Sequence, residues 1–312
     1  MKKLSVLSPV YNEELVIADF HRTLRATLDS LAEKYNAEVI YIVDACPDRS
    51  LEILREIAHA DPRVKILALS ARFGHQMALL AGIDHATGDA IVMLDSDLQH
   101  PPQLIPQLLA EYEKGYDVVF TIRQPARDTG IFRRASSRLF YGLINRLSQI
   151  PIDESAADFR LISAPVARVF QTQIRERNQF LRGLMNWVGF RRVGLHFTAQ
   201  ERARGRTKYS ASRLIRFAIT GIVSFSKKPL QAAIIVGFCF ALMGLLVALD
   251  SLFIYFFKGN LPSGWTTLAI LISGFSGVQL IFLGVIGEYV GAIFDEVKAR
   301  PHYIVQEKIN LP

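Results

Sequence analysis

The stretch AIVMLDSDLQHPP, Ala90 to Pro102, sets the reading of the chain. An apolar run leads straight into two carboxylates, Asp95 and Asp97, followed by a Gln, a His and two prolines. Read as a buried strand, the run delivers both aspartates to the loop at its carboxyl end. Two carboxylates there suit a hard divalent cation, Mg2+ or Mn2+. Such an ion typically takes one or two protein carboxylates and fills its other positions with water and substrate phosphate. A solvated turn with helix-capping aspartates is the other reading of the same residues, since Pro101 and Pro102 follow.

The surrounding pattern favours a strand. LSVLSPV, EVIYIVD, VKILAL, AIVMLD and DVVFTI predict strands. Between them lie predicted helices: EELVIADFHRTLRATLDSLAEKY, SLEILREIAHA, HQMALLAGIDHA and PQLIPQLLAEYEKG. The first carries Leu15, Phe20, Leu24, Leu28 and Leu31 near helical spacing. This alternation predicts an α/β fold with a mostly parallel sheet covered on both faces. Ligands then bind beyond the carboxyl ends of the strands. Polar groups fall there, at 9–13, 44–50, 70–76 and 95–99. Residues 125–210 are less regular. RRASSRLFYGLINRLS reads as a basic helix, ADFRLIS as the end of a loop, and FLRGLMNWVGF as an apolar stretch with two glycines. No linker interrupts them, so 1–209 reads as one domain.

Half of the 312 residues are hydrophobic, and the excess is local. Residues 232–249 contain no polar or charged side chain and 265–286 contain no charge. Each run, with its flanks, is long enough to span a bilayer core of about 30 Å. The segments are assigned as membrane helices at 229–257 and 264–287, with an amphipathic interfacial helix at 210–228 and a polar tail at 288–312. In the interfacial segment Leu214, Phe217, Ile222 and Phe225 are set against Arg213 and Arg216. Buried core helices are the alternative. Met1-Lys2-Lys3 opens the sequence, but the apolar run after it is short and broken by Asn12, Glu13 and Glu14, so no signal peptide is expected. Cys46 and Cys239 offer neither a disulfide framework nor metal spacing.

The net charge of +7 is unevenly spread: residues 199–228 hold eight Lys or Arg and a single acid, Glu201. No nucleic-acid motif accompanies them, so nucleic acid is not an expected partner. A basic stretch before an apolar span fits anionic headgroups. Lys227 and Lys228 precede the first span, Lys298 and Arg300 follow the second, and Lys258 alone lies between. The positive-inside rule places both ends in the cytoplasm.

SPVYNEE, GDAIVMLDSDLQHPP, ADFRL, FLRGLMNWVGF, TKYS and GEYVGAIFDEVKARPHYIV together resemble the polyprenyl-phosphate glycosyltransferases of glycosyltransferase family 2. The two apolar runs make the chain most similar to the bacterial bactoprenol (undecaprenyl-phosphate) glucosyltransferases. Dolichol-phosphate mannose synthases share the catalytic part. The resemblance implies a GT-A fold, Rossmann-like, in residues 1–209. It implies an enzyme of the bacterial cytoplasmic membrane with its catalytic domain in the cytoplasm. That enzyme performs an inverting, Mg2+- or Mn2+-dependent transfer of a sugar, glucose from UDP-glucose first, to polyprenyl phosphate for cell-envelope glycan modification. UDP-N-acetylglucosamine, another UDP-sugar or GDP-mannose are the alternative donors.

By position, the resemblance places Pro9, Tyr11, Asn12, Glu13, Asp44, Asp48, Arg72, Asp95 and Gln99 at the nucleotide sugar. It gives Asp95 and Asp97 to the metal. Asp97, Asp158, Arg160, Arg202 and Lys208 become the catalytic set, the last four around the acceptor phosphate and leaving diphosphate. The sequence departs from the family pattern at Val43, where the first of two adjacent Asp is usual, and at Cys46, Arg72 and Ala157, where Ser, Asn and Gly are usual. A processive synthase that moves its product and a non-catalytic nucleotide-sugar sensor are the competing readings. Retained Asp95, Asp97, Asp158 and Arg202 argue against the sensor.

His75, His85 and His100 lack metal-ligand spacing and are expected in structural or surface roles. Asp250 is read as solvated or paired near the interface. Arg133, Arg134 and Arg138 are either a solvated helix face or a lipid or phosphate contact. Gly284, Gly287 and Gly291 are expected to allow close helix packing in a homo-oligomer. For topology, a cysteine placed at Gly259 or Asn260 should react with an impermeant thiol reagent outside intact cells. Reaction only after permeabilisation overturns the assigned orientation.

Overall fold

The computed structural model describes residues 1–123, 156–177, 179–197, 228–258 and 264–311. Four parallel strands form the centre of its sheet: β1 (Lys2–Val10), β2 (Tyr35–Val43), β3 (Val64–Leu69) and β4 (Ala90–Met93). Between them run α1 (Ile17–Asp29), α2 (Ser50–Ala60) and α3 (His75–His85). A 3-10 turn at Pro102–Leu104 leads into α4 (Ile105–Glu113) and β5 (Val118–Arg123). Pro102 and Pro106 explain the split of this predicted helix, since proline is tolerated at a helix start but not inside it.

β6 (Ala156–Ser163), α5 (Ala164–Thr172), α6 (Leu181–Trp187) and β7 (Arg192–Phe197) follow. With the last strand, β8 (Val305–Ile309), the sheet order is β7-β5-β6-β4-β1-β2-β3-β8. Among the described residues, four of its seven strand pairs are parallel; β6 runs antiparallel to both β4 and β5, and β8 to β3. This is a GT-A-like mixed sheet with helices on both faces. ADFRLIS, read from sequence as the end of a loop, is strand β6. Phe159, Leu161 and Ile162 in it are wholly buried. Aromatic and β-branched character was present, but the polar Asp158 and Arg160 obscured the period.

Burial drives the two-sided packing. Phe20, Leu24, Leu54, Leu108 and Phe159 form one apolar layer, and Leu79, Ile83, Ile91, Phe170 and Leu184 the other. Gly88 lets the chain pass β1 closely: a Cβ there would lie 2.6 Å from the Ser5 backbone nitrogen.

The apolar runs form α7 (Lys228–Lys258) and α8 (Trp265–Lys298). Both are long and apolar enough to cross a membrane, and neither span is buried within the protein. Ile234, Phe256, Leu280 and Ile281 are all more than 60% exposed. Among the described residues neither helix is a core helix of the sheet domain. α8 continues to Lys298, past the expected end at 287. The expected polar tail rejoins the sheet as β8 (Val305–Ile309), antiparallel to β3. Arg55 pairs with Glu307, and Asn310 donates to the carbonyls of Ala58 and Val64. The 210–228 segment lies outside the described residues apart from Lys228, which opens α7.

Glu38 on β2 is buried and carries several links between neighbouring elements. Its carboxylate accepts from Ser5, Thr87 and Lys65, and pairs with Lys3 at 3.3 Å. Burial alone would raise its pKa; the bonds from Lys65, Ser5 and Thr87 outweigh that and bring it down to about 2. A depressed folded-state pKa gives stability that is complete above the unfolded value of about 4.3 and is lost as pH falls towards about 2. Glu38→Gln should lower stability at neutral pH by about 3 kcal/mol and flatten the acid dependence between about pH 4.3 and 2. Thermal unfolding of the two proteins across that range checks it; parallel curves refute it.

Candidate active site

The loops at the carboxyl ends of β1, β2 and β3 are stitched to one another. Asp44, immediately after β2, is 4% exposed. Its two oxygens accept from the backbone N–H groups of Phe73 (2.7 Å) and Gly74 (2.9 Å), so it fixes the entry to α3. Asp48 accepts from Glu14 N, Ser50 N and the Ser50 hydroxyl. Ser50 in turn accepts from Glu13 N. Asn12 takes a left-handed φ of 59° and donates its N–H to the Cys46 sulfur. Cys46 itself donates to the Val10 carbonyl. The thiol thus bridges the loops, and burial pushes its pKa up to about 11. The Arg72 guanidinium lies 3.9 Å from the centre of the Tyr11 ring, a cation–π stack at the same edge. Val43 is 1% exposed within the core, so no polar side chain reaches the loop from that position.

The Asp95–Gln99 loop follows β4. The Ser96 hydroxyl donates to the Pro9 carbonyl, tying the loop to β1. Asp97 accepts from Gln99 N at 3.1 Å, and Leu98 takes a φ of 61°. His100 stands 3.5 Å from Asp95 and packs on Phe159 and Phe197 at ring-centre distances of 5.5 and 6.1 Å.

β6 faces this loop because its register sets Met93 opposite Arg160. Asp158 sits at the centre of a cluster there. Arg182 of α6 grips it with two bonds of 2.7 Å, Arg160 approaches at 3.3 Å and His75 at 3.4 Å. His75 also lies 3.6 Å from Asp95, so one imidazole joins the two carboxylate centres. Burial opposes the charge on Asp158, but the Arg182 and His75 bonds prevail and hold its pKa well below the ordinary value. Burial also pushes the Arg160 guanidinium down to about 10. For His75, burial lowers the pKa, and the Asp158 bond and Asp95 charge more than reverse this.

The structure therefore brings Asp95, Asp158 and Arg160 together, with Pro9 near the end of β1 and Tyr11, Asn12, Glu13, Asp44, Asp48, Arg72, Asp97 and Gln99 on adjoining strand-end loops. Arg202 and Lys208 lie outside the described residues, as do Arg133, Arg134 and Arg138. His75, His100 and Arg182 were not anticipated. His75 and His100 are joined to Asp95 only through the fold. Arg182 had a signal: it is the sole charge inside the apolar FLRGLMNW. Among the described residues no three His, Cys, Asp or Glu side chains form a metal cage. Asp95 and Asp97 still fit a cation that draws most of its ligands from substrate and water.

Arg182→Lys keeps the charge but loses the two-pronged grip. Turnover in a sugar-transfer assay should fall about tenfold for Arg182→Lys and about a hundredfold or more for Arg182→Ala, as for loss of an oriented charge contact. Asp158 should stay ionised below the pH at which an ordinary aspartate takes up its proton, because the Arg182 and His75 bonds hold its pKa down. Equal rates for the wild type and both Arg182 variants refute the role.

Residues 5–170 match the family model for Glycosyl transferase family 2. The chain is 40% identical to an uncharacterized glycosyltransferase, YkcC, of Bacillus subtilis, over 98% of this chain and 94% of that one. It is 36% identical to the SfII prophage-derived bactoprenol glucosyl transferase of Shigella flexneri, over 98% of each. Among solved structures, glucosyl-3-phosphoglycerate synthase from Mycobacterium tuberculosis, in complex with Mn2+, UDP and phosphoglyceric acid, aligns at 17% identity and a TM-score of 0.44. That alignment covers 71% of this chain and 76% of the other. On the family model and these full-length relatives, the chain belongs to glycosyltransferase family 2 and is a glycosyltransferase.

Proposed function

We propose that this glycosyltransferase moves glucose from UDP-glucose to polyprenyl phosphate at the cytoplasmic face of a bacterial membrane. The observation that carries the reading is the pairing of the Asp95–Asp97 loop with the buried Asp158–Arg182–Arg160 cluster, in a chain that also carries two exposed apolar helices. The Shigella relative's name supports the lipid acceptor and the sugar. α7 and α8 cross the bilayer, and exposed apolar surface on both supports that placement.

The chemistry follows from the acceptor. A phosphate oxygen is already anionic near neutral pH, so it needs no strong base. It attacks the anomeric carbon as the bond to the diphosphate oxygen breaks, and the anomeric centre inverts in one step. Asp158, held ionised by Arg182, orients these guanidinium groups rather than taking a proton. Arg160, Arg182, Arg202 and Lys208 supply positive charge to the acceptor phosphate and the departing diphosphate. Asp95 and Asp97 hold Mg2+ or Mn2+, which when bound supplies further positive charge against the diphosphate. Tyr11, Asn12, Arg72 and the Asp44- and Asp48-bound loops receive the nucleotide.

Purified protein incubated with undecaprenyl phosphate, Mg2+ or Mn2+ and a panel of nucleotide sugars should form a glucosylated lipid from UDP-glucose. Excess chelator should abolish the product. Asp97→Asn should lose most turnover, about a hundredfold or more, with an unchanged melting temperature. A lipid product from a different donor alone corrects the sugar, full activity in chelator removes the metal assignment, and no lipid product from any donor overturns the reading.

A further inference from the structure

A cavity of about 400 Å³, with both polar and apolar lining, lies at the seam between the end of α8 and the sheet domain. Phe73 and Met77 form its apolar wall beside α3. Arg177, Lys298 and Arg300 bring positive charge to it and Asp295 negative charge, and the Glu296 carboxylate, which accepts from Arg177 N at 2.8 Å, stands beside it. The deeper wall is made by Gln179 and His302, which are 7% and 8% exposed.

The hydrogen bonding of that wall is incomplete in a specific way. Arg177 Nη1 lies 3.4 Å from His302 Nδ1. A guanidinium can only donate, so Nδ1 accepts and the neutral ring carries its proton on Nε2. Burial, with Arg175 and Arg177 nearby, holds the His302 pKa below its ordinary value and favours that neutral ring. Nε2–H of His302 and Nε–H of Arg177 are both buried and have no partner among the described residues. A buried donor left unpaired carries its full desolvation cost. Two such donors, one of them on the Arg177 guanidinium itself, beside the charges of Lys298 and Arg300 call for an anion with several acceptor oxygens. Gln179 Oε1 is a buried acceptor, likewise without a partner among the described residues. It calls for a hydroxyl hydrogen on the same ligand. Chloride offers neither oxygen nor hydrogen, and an ionised carboxylate offers no hydrogen. A phosphate that carries a P–OH, or a phosphodiester with a neighbouring hydroxyl, meets both demands.

We propose that the cavity bounded by Arg177, Gln179, Lys298, Arg300 and His302 binds a phosphate group, either free phosphate or a phosphate-bearing lipid headgroup. It stands apart from the Asp95–Asp158 site: its lining residues make none of the bonds of that cluster. Only the lipid source rests on the membrane reading of α7 and α8.

The test uses the full chain in detergent micelles with saturating UDP, so that phosphate binding at the nucleotide site is suppressed. Inorganic phosphate is titrated by calorimetry against chloride of equal ionic strength. The wild type should bind it saturably. The Lys298→Gln/Arg300→Gln double variant should bind about tenfold more weakly or worse, since two charge-assisted bonds are lost. Both substituted side chains are exposed, so the variant should keep the wild-type melting temperature. A second arm repeats the titration in nanodiscs of phosphatidylcholine with or without phosphatidylglycerol. Loss of phosphate binding only with phosphatidylglycerol, together with that lipid retained in native mass spectra, assigns a headgroup. Unchanged binding in both assigns free phosphate. Absence of saturable phosphate binding and of retained phosphatidylglycerol, or equal binding by wild type and double variant, overturns the site. Sugar transfer is measured on the same samples: its absence counts against the proposed function and leaves the phosphate result standing.

Discussion

The fork between Arg182 and Asp158 is the contact on which the arrangement of the site depends. Asp158 is nearly buried, and an isolated carboxylate in that position carries a desolvation penalty of several kcal/mol. The penalty is offset chiefly by Arg182, which supplies two parallel charge-assisted bonds, with His75 and Arg160 adding to it. Those bonds join β6 to α6. Leu181, the neighbouring residue, donates its N–H to Gln76 of α3, so the same short helix is anchored to the helix that presents His75. His75 then spans Asp158 and Asp95. One ion pair therefore fixes the relative positions of β6, α6, α3 and the loop after β4. Without it, Arg160 would keep its burial while the carboxylate lost its strongest partner, and β6 would carry unbalanced charge against β4 and β5.

The parallel centre of the sheet was legible from sequence because β1 to β4 are apolar runs bounded by polar loops, with amphipathic helices between. Asp95 and Asp97 were legible for the same reason: they interrupt such a run at its end. β6 was not, since a strand that carries Asp158 and Arg160 inside the protein breaks the pattern by which strands are recognised. Its charges are tolerated through Arg182 and His75, which come from other elements. His75 shows the same limit. Nothing in FGHQ marks a histidine that will stand between two aspartates from β4 and β6. The loop-fixing work of Asp44 also escaped the sequence, because its partners are backbone N–H groups of Phe73 and Gly74, and backbone leaves no signature in side-chain type.

Val43 and Cys46 acquire a physical account in this setting. At Val43 the side chain fills the core, and the next residue, Asp44, commits its carboxylate to the chain entering α3. Cys46 keeps a bridging pair of contacts to Val10 and Asn12 through sulfur, with a thiol raised away from reactivity. Arg72 extends the same edge by stacking on Tyr11. Cys46 and Arg72 thus both contact the loop after β1, through Asn12 and Tyr11. Ala157 instead neighbours Asp158 on β6. That division separates the edge that carries Tyr11 and Arg72 from the cluster of charges around Asp95 and Asp158.

The return of the chain after α8 ties the apolar helices to this machinery more closely than a polar tail could. Arg177 donates its backbone N–H to Glu296 near the end of α8. Tyr303 then donates to Asp84 of α3, which also pairs with Arg175 after α5. The Ile304 carbonyl accepts from Ser70 N at the head of the loop that leads to Arg72 and His75. β8 finally closes the edge beside β3. Every one of these contacts lands on α3, on the segment before α6, or on β3 and the loop that follows it. Those are the elements that present His75, Arg182 and the Asp44-bound backbone. Under the proposed membrane placement, a helix anchored in the bilayer is connected through short, hydrogen-bonded steps to the groups around Asp158. Such steps would hold the sheet domain in a fixed orientation towards the surface from which a lipid phosphate arrives.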